Sequence, residues 1–208
     1  LDPQGTTTAL IKPNLAPDDF TVGDLMIANF ELDEGETFEQ VCRDSFLNTN
    51  HDNLKILPAG DHDREYETVV KARELQANAN NEEYNAFKDL ERIIEAVEDD
   101  FDIILIDTPP QLNAASMSGQ FVAKGLIIPL RASENDRDAS HKYIKYLAKV
   151  DEMLTGLGQK PKEDITVLIS AVDRRSNHQV KSVEEIREVI GQWCYNNDFI
   201  QSDAVINC

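Results

Sequence analysis

Basic residues are scarce in this chain: 20 lysines and arginines stand against 39 aspartates and glutamates in 208 residues, a formal net charge of −19. So acidic a chain repels phosphate backbones and anionic lipid over long range, which argues against strong nucleic-acid binding except at a local basic patch. Cysteine is scarce as well. Cys42, Cys194 and Cys208 are odd in number and far apart, with no C-x-x-C, so neither a disulfide framework nor a zinc or iron–sulfur site is indicated. A reducing cytoplasm is the compartment this usage predicts. No apolar run reaches the roughly 18 residues of a membrane-spanning helix, and no signal-peptide pattern or terminal amphipathic anchor is visible. His51, His62 and His141 have no ligand-like companions and read as surface residues.

What is present is ordinary globular composition, 41% hydrophobic and 28% charged, at a length that suits one α/β domain over residues 1–208. The stretch that organises it is FDIILIDTPP, Phe101 to Pro110. Ile103 to Ile106 run without alternation, the pattern of a strand covered on both faces in a mostly parallel sheet. Asp107 falls at the carboxyl end of that strand, where open α/β sheets bind ligands, and Pro109 and Pro110 stop the strand at once. A carboxylate fixed there suits Mg²⁺, directly or through water.

Around it, 21–29 and 37–46 read as short helices, the second opened by a Thr37–Gln40 capping box with Phe38, Val41, Cys42 and Ser45 inward. Residues 54–58 read as a short strand, and the asparagines of 78–81 as a linker after a polar helical stretch. Residues 82–98 form an amphipathic helix, with Tyr84, Phe87, Leu90, Ile94 and Val97 on one face. Small residues crowd 111–124, which predicts a helix packed closely on its neighbour. Strands follow at 125–130 and 165–169, with a helix between them carrying Tyr143, Leu147, Val150 and Leu154 inward. A last helix opens on a Ser182–Glu185 capping box, with Trp193 inward, and 198–206 form a final turn and edge segment.

Two of these stretches carry a resemblance. Asp2-Pro3-Gln4-Gly5, at the end of an apolar start, and Asp107-Thr108-Pro109-Pro110 together resemble the ParA family of partition ATPases, deviant Walker-type P-loop proteins of the ParA/Soj/MinD superfamily. Weaker matches at 54–60, 125–140 and 165–177 extend the likeness, in order, over nearly the whole chain. One element of that family is missing from the 208 residues: nothing of the form G-x-x-x-x-G-K-[ST] occurs. The expectation is a P-loop NTPase-like domain without its first strand, phosphate loop and first helix, clipped at the N-terminus and also at the C-terminus.

The resemblance implies roles residue by residue. Asp2 would orient the attacking water, and Asp107 would hold Mg²⁺ through its water shell. Thr108 and Pro109 would begin the switch loop beside the γ-phosphate, and the helix after them would meet the dimer partner. Ser170 and Asp173, with Gln201 and Ser202 as a weaker pair, would lie near the adenine. The cofactors implied are ATP and Mg²⁺. The partners are a second copy on ATP binding, a centromere-binding ParB-type protein, and DNA bound without sequence preference, with no membrane. The place is the cytoplasm, on the nucleoid. Arg174, Arg175, His178 and Lys181 form the densest basic cluster, either DNA-phosphate contacts or a solvated helix entrance. The alternatives are a loop-less, non-catalytic paralogue of the same fold and a MinD-like positioning ATPase, which needs an amphipathic C-terminal helix not seen here. Iron–sulfur relatives are disfavoured because their paired cysteines are absent.

Overall fold

The computed structural model describes residues 1, 6–11, 19–27, 35–60, 62–109, 113–131, 134–160 and 162–200. The fold is α/β, and the chain divides into two compact units, Leu1–Val122 and Ala123–Cys208.

The first unit is mostly helical: α1 (Thr6–Ile11), α2 (Val22–Ile27), α3 (Phe38–Asp44), α4 (His62–Asn80), α5 (Phe87–Val97) and α6 (Ala114–Val122), with a small hairpin of β1 (Leu47–Asn48) and β2 (Lys55–Ile56). The hairpin is antiparallel, and the short strand expected at 54–58 is present in it as Lys55–Ile56. Local chemistry sets the helix ends. Thr21 and Asp24 cap α2 reciprocally, the Asp24 Oδ2 accepting from the Thr21 amide at 2.8 Å and Thr21 Oγ1 accepting from the Asp24 amide at 3.2 Å. Thr37 caps α3 as expected, but Gln40 turns forward to Asp44 at 2.9 Å, leaving half a capping box.

Helix α4 runs straight through the asparagine-rich tract expected to be a linker. It stops at Asn81, whose φ of 55° lies in the left-handed region. The Glu82 amide then donates to Ala77 O at 2.8 Å and the Asn81 amide to Asn78 O at 3.3 Å. That is a Schellman ending, with asparagine where glycine is commonest. Helix α5 begins five residues later than the periodicity suggests, because Asn85 Oδ1 accepts from the Phe87 amide at 3.0 Å and turns the chain just before it. Its buried stripe is Leu90, Ile93, Ala96 and Val97.

The core of this unit joins α2, α3, α4, α5 and α6 through Leu25, Met26, Cys42, Tyr66, Val70, Leu90, Ile93, Val97 and Ala115. One polar cluster pins α4 to α5: Asp89 Oδ2 accepts from Tyr84 Oη at 2.6 Å, Arg73 Nη1 at 3.2 Å and Tyr66 Oη at 3.3 Å. Each donor is thereby satisfied, as a half-buried polar group must be.

The second unit holds β3 (Gly125–Arg131), α7 (Glu134–Gly156), β4 (Asp164–Ser170) and α8 (Asn177–Ile190). The strands are parallel and in register from Gly125 opposite Asp164 to Arg131 opposite Ser170. The long α7 supplies the crossover that parallel neighbours need. Residues 194–200 extend the sheet, with the Tyr195 amide donating to Val167 O at 2.8 Å and the Phe199 amide to Ile169 O at 2.9 Å. Ile128, Leu130, Val167 and Ile169 bury one face with Ile144 and Leu147 of α7 and Val183 and Ile186 of α8.

Two expectations for α8 are corrected. Its N-cap is Ser176, which accepts from the Gln179 amide, so Ser182 lies mid-helix and buried, not at an entrance. Trp193 sits in a 3₁₀ turn after Gly191 and is 54% exposed, because that turn ends the helical face that would have carried it inward.

Candidate functional site

The stretch 101–109 is extended but forms no ladder with any described residue, and it is not covered on both faces. Ile104 and Ile106 pack on the core, whereas Ile103 and Leu105 are 76% and 79% exposed. A continuous apolar run thus behaves here as an alternating one, since an extended backbone sends successive side chains to opposite sides. Phe101 anchors its start against Phe46, ring centroids 5.1 Å apart.

Helix α6 lies close behind the end of this segment. A Cβ on Gly119 would fall 3.0 Å from Thr108 Cγ2 and 3.2 Å from both Ile106 Cγ2 and Leu1 Cδ1. Only glycine permits that approach without displacing one of them. The small residues predicted to pack closely do so: Ala115, Ser116, Ser118 and Gly119 are all buried. The start of α6 is held twice. Asn113 and Ser116 cap each other reciprocally at 2.9 and 3.0 Å, and Glu67 of α4 accepts from the Ala114 amide.

Asp107 therefore stands at the end of an extended segment whose inner side is anchored. Its Oδ2 accepts a 2.5 Å hydrogen bond from Thr7 Oγ1 at the start of α1. The next residue, Thr8, is buried, and its hydroxyl accepts from the Ala59 amide at 3.2 Å. Asp2 lies outside the described residues. Its neighbour Leu1 is described and packs beside Ile106 and Thr108. Asp107 and Thr7 are hard oxygen donors of the kind magnesium takes, which needs few protein ligands because it keeps water and phosphate oxygens. Among the described residues no group of three or more His, Cys, Asp or Glu could enclose a metal ion by itself.

In the second unit, Ser170 ends β4 with its hydroxyl donating to Leu130 O at 3.2 Å. Ala171 follows at φ 55°, a conformation costly for a residue with a Cβ. Asp173 is engaged on every side. Its amide donates to Gln179 Oε1 at 2.7 Å, while its carboxylate accepts from Arg175 Nε at 2.9 Å, Nη2 at 3.2 Å and the Arg175 amide at 3.0 Å. The Arg175 guanidinium, with the Arg175 amide second, holds the Asp173 carboxyl below its ordinary range. Arg174 faces Asp198 at 3.7 Å and Lys181 faces Glu185 at 4.0 Å. Arg174, Arg175 and Lys181 each have a carboxylate neighbour, so the basic cluster is locally neutralised. Gln201 and Ser202 lie outside the described residues.

Two site residues were not singled out by sequence. Thr7 had a faint signal, the threonine run after Gly5. Glu67 had none, since it lies 47 residues before the amide it holds.

Comparison with known proteins places the chain. The family described as AAA domain matches residues 1–157. A putative replication protein A of Rhizobium rhizogenes is 21% identical over 212 residues, covering 99% of this chain and 50% of its own length. One from Sinorhizobium fredii (strain NBRC 101917 / NGR234) is 23% identical over 158 residues, covering 76% and 39%. The chain thus spans half or less of the curated relatives it matches. Among solved structures, a partition protein aligns with TM-score 0.76 at 22% identity, over 95% of this chain and 54% of its own. Cobyrinic acid a,c-diamide synthase from Mycobacterium smegmatis, with bound ADP and magnesium, aligns at 0.68 and 18% identity, over 90% and 66%. A Cyanothece McdA variant in complex with ATP aligns at 0.66 and 18% identity, over 95% and 67%.

Proposed function

The chain belongs to the AAA domain family, among the ParA-like P-loop NTPases, and from that premise we propose that it serves a ParA-type ATPase in partitioning or positioning a replicon. The observation that carries this reading is Asp107, presented at the end of an extended apolar segment, backed by a glycine-tight helix and held by the Thr7 hydroxyl. Asp107 would hold a magnesium ion through its water shell, and the ion would supply the positive charge that phosphoryl transfer needs.

The remaining roles belong to this chain's own residues. Asp2, next to the Leu1 that packs beside Thr108, orients the attacking water. Thr108 and Pro109 border the γ-phosphate. The close fit of Gly119 against Thr108 passes any movement of that loop to α6, which meets a second copy of the chain when ATP is bound. Ser170 and Asp173, with Gln201 and Ser202, border the adenine. The Arg175 clamp and the strained Ala171 keep that turn in one shape. A ParB-type protein stimulates turnover, and the protein acts on the nucleoid in the cytoplasm.

DNA binding by this chain is weak, because the net charge is −19 and Arg174, Arg175 and Lys181 face carboxylates. Calorimetry with Mg-ATP on the full-length gene product tests the reading. Binding that is lost in Asp107→Asn is expected, and no binding by the unaltered protein would leave the alternative, a non-catalytic paralogue of the same fold.

A further inference from the structure

We infer that Thr7 is the positioning residue for Asp107, its hydroxyl holding the carboxylate in the orientation that meets a hydrated divalent cation. This deepens the functional reading above and rests on it.

A threonine hydroxyl can donate as well as accept, and donation to an ionised carboxylate is charge-assisted. Thr7 does this across 100 residues of sequence, at 2.5 Å. The branched Cβ confines χ1 in a helix to two rotamers, so the backbone of α1 restricts where the hydroxyl can reach. Six residues of helix are too few to hold themselves in water, so the place of α1 is set by its contacts. The next residue supplies one: buried Thr8 takes the Ala59 amide at 3.2 Å. That loop is itself anchored, since Pro58 O accepts from the Val22 amide at 2.9 Å. The far side of Asp107 is set by the packing of Ile106 and Thr108 on Gly119. Thr7 thus reaches the carboxylate from one fixed support while the segment bearing Asp107 rests on another. The hydrogen bond between them decides where the oxygens point.

The test uses the 208-residue chain, the side-chain carboxyl carbon-13 signal of Asp107, and Mn²⁺ alone as a paramagnetic probe. Exposed Asp102 serves as the reference for non-specific broadening of an acidic protein. Thr7→Val keeps the shape and loses the hydroxyl, whereas Thr7→Ser keeps the hydroxyl. The expected result is that Thr7→Val displaces the Asp107 signal and raises its Mn²⁺ broadening midpoint by roughly tenfold or more, the effect of losing one charge-assisted hydrogen bond. Thr7→Ser, which keeps the hydroxyl but not the β-branch, restores most of both. An unmoved carboxyl signal in Thr7→Val overturns the inference, as does an unmoved midpoint. If the unaltered chain shows no broadening at Asp107 beyond that at Asp102, the metal reading falls and the role of Thr7 with it. A carboxyl signal still displaced by Thr7→Val would then show that the contact exists and that the magnesium assignment was at fault.

Discussion

Glu67 on α4 accepts a hydrogen bond from the amide of Ala114, the first residue of α6. This one contact ties a helix far from Asp107 in sequence to the helix that backs it. A carboxylate at a helix N-terminus is favourable both as an acceptor and against the helix dipole. Glu67→Ala is expected to lower stability by about 1 kcal/mol, and Glu67→Gln, which keeps an acceptor, by less. Urea denaturation of the two variants checks the order.

The closeness of Gly119 to Thr108 predicts an overpacking effect. Three side chains lie within 3.2 Å of the position a Cβ would take. Gly119→Val should cost roughly 1–3 kcal/mol, with the largest amide shift changes at 106–108 in a two-dimensional NMR spectrum.

Alkaline pH should destabilise the protein through groups held neutral in the fold. Burial pushes the Cys42 thiol from 9.0 up to about 11. Burial, with the hydrogen bond to Asp89 second, pushes the Tyr84 phenol from 10.0 up to about 12. In both cases the unfolded chain loses its proton first, so it binds fewer protons than the native state and stability falls as pH rises. The Cys42 contribution is complete below pH 9.0 and is lost through about 11. Cys42→Ala should flatten the decline in that window, measured by melts at stepped pH, although the variant starts lower because a buried side chain has been trimmed.

The 208-residue chain alone should release no phosphate from Mg-ATP above background. Its 39 acidic residues repel a polyanion, and no G-x-x-x-x-G-K-[ST] stretch supplies the cradle of amides and lysine. A coupled phosphate-release assay on the purified chain is the measurement, and turnover abolished by Asp107→Asn is the contrary result.

Retention on DNA should depend on whether the basic cluster is paired. Asp173→Asn weakens the hold on the 92% exposed Arg175 side chain and should raise retention on heparin or duplex DNA at low salt. Arg175→Ala should lower it, with the salt dependence falling by about one charge.

Much of this molecule is written locally. Thr37 caps α3 because its hydroxyl needs only the amide three residues on, and β3 and β4 form where β-branched runs are bounded by breakers. Asp107 is likewise legible, because prolines end its segment within two residues. Where a pattern was ambiguous, packing decided. Ser182–Glu185 has the spacing of a helix start, yet Ser176 caps six residues earlier and Ser182 lies buried within the helix. The asparagines of 78–80 favour turns in isolation but stay helical until Asn81 adopts the left-handed conformation.

By itself, then, the amino-acid sequence determined the α/β class, the acidic balance, the motif ending at Asp107 and the absence of a glycine-lysine loop. Only the tertiary structure decided that Ile103 and Leu105 face outward, that Arg175 spends its charge on Asp173, that Thr7 meets Asp107 and that Glu67 meets the Ala114 amide. The physical reason is range. Caps and strand ends are settled among neighbours a few residues apart, whereas the partner of a carboxylate 47 or 100 residues away is chosen only when packed helices bring the two together.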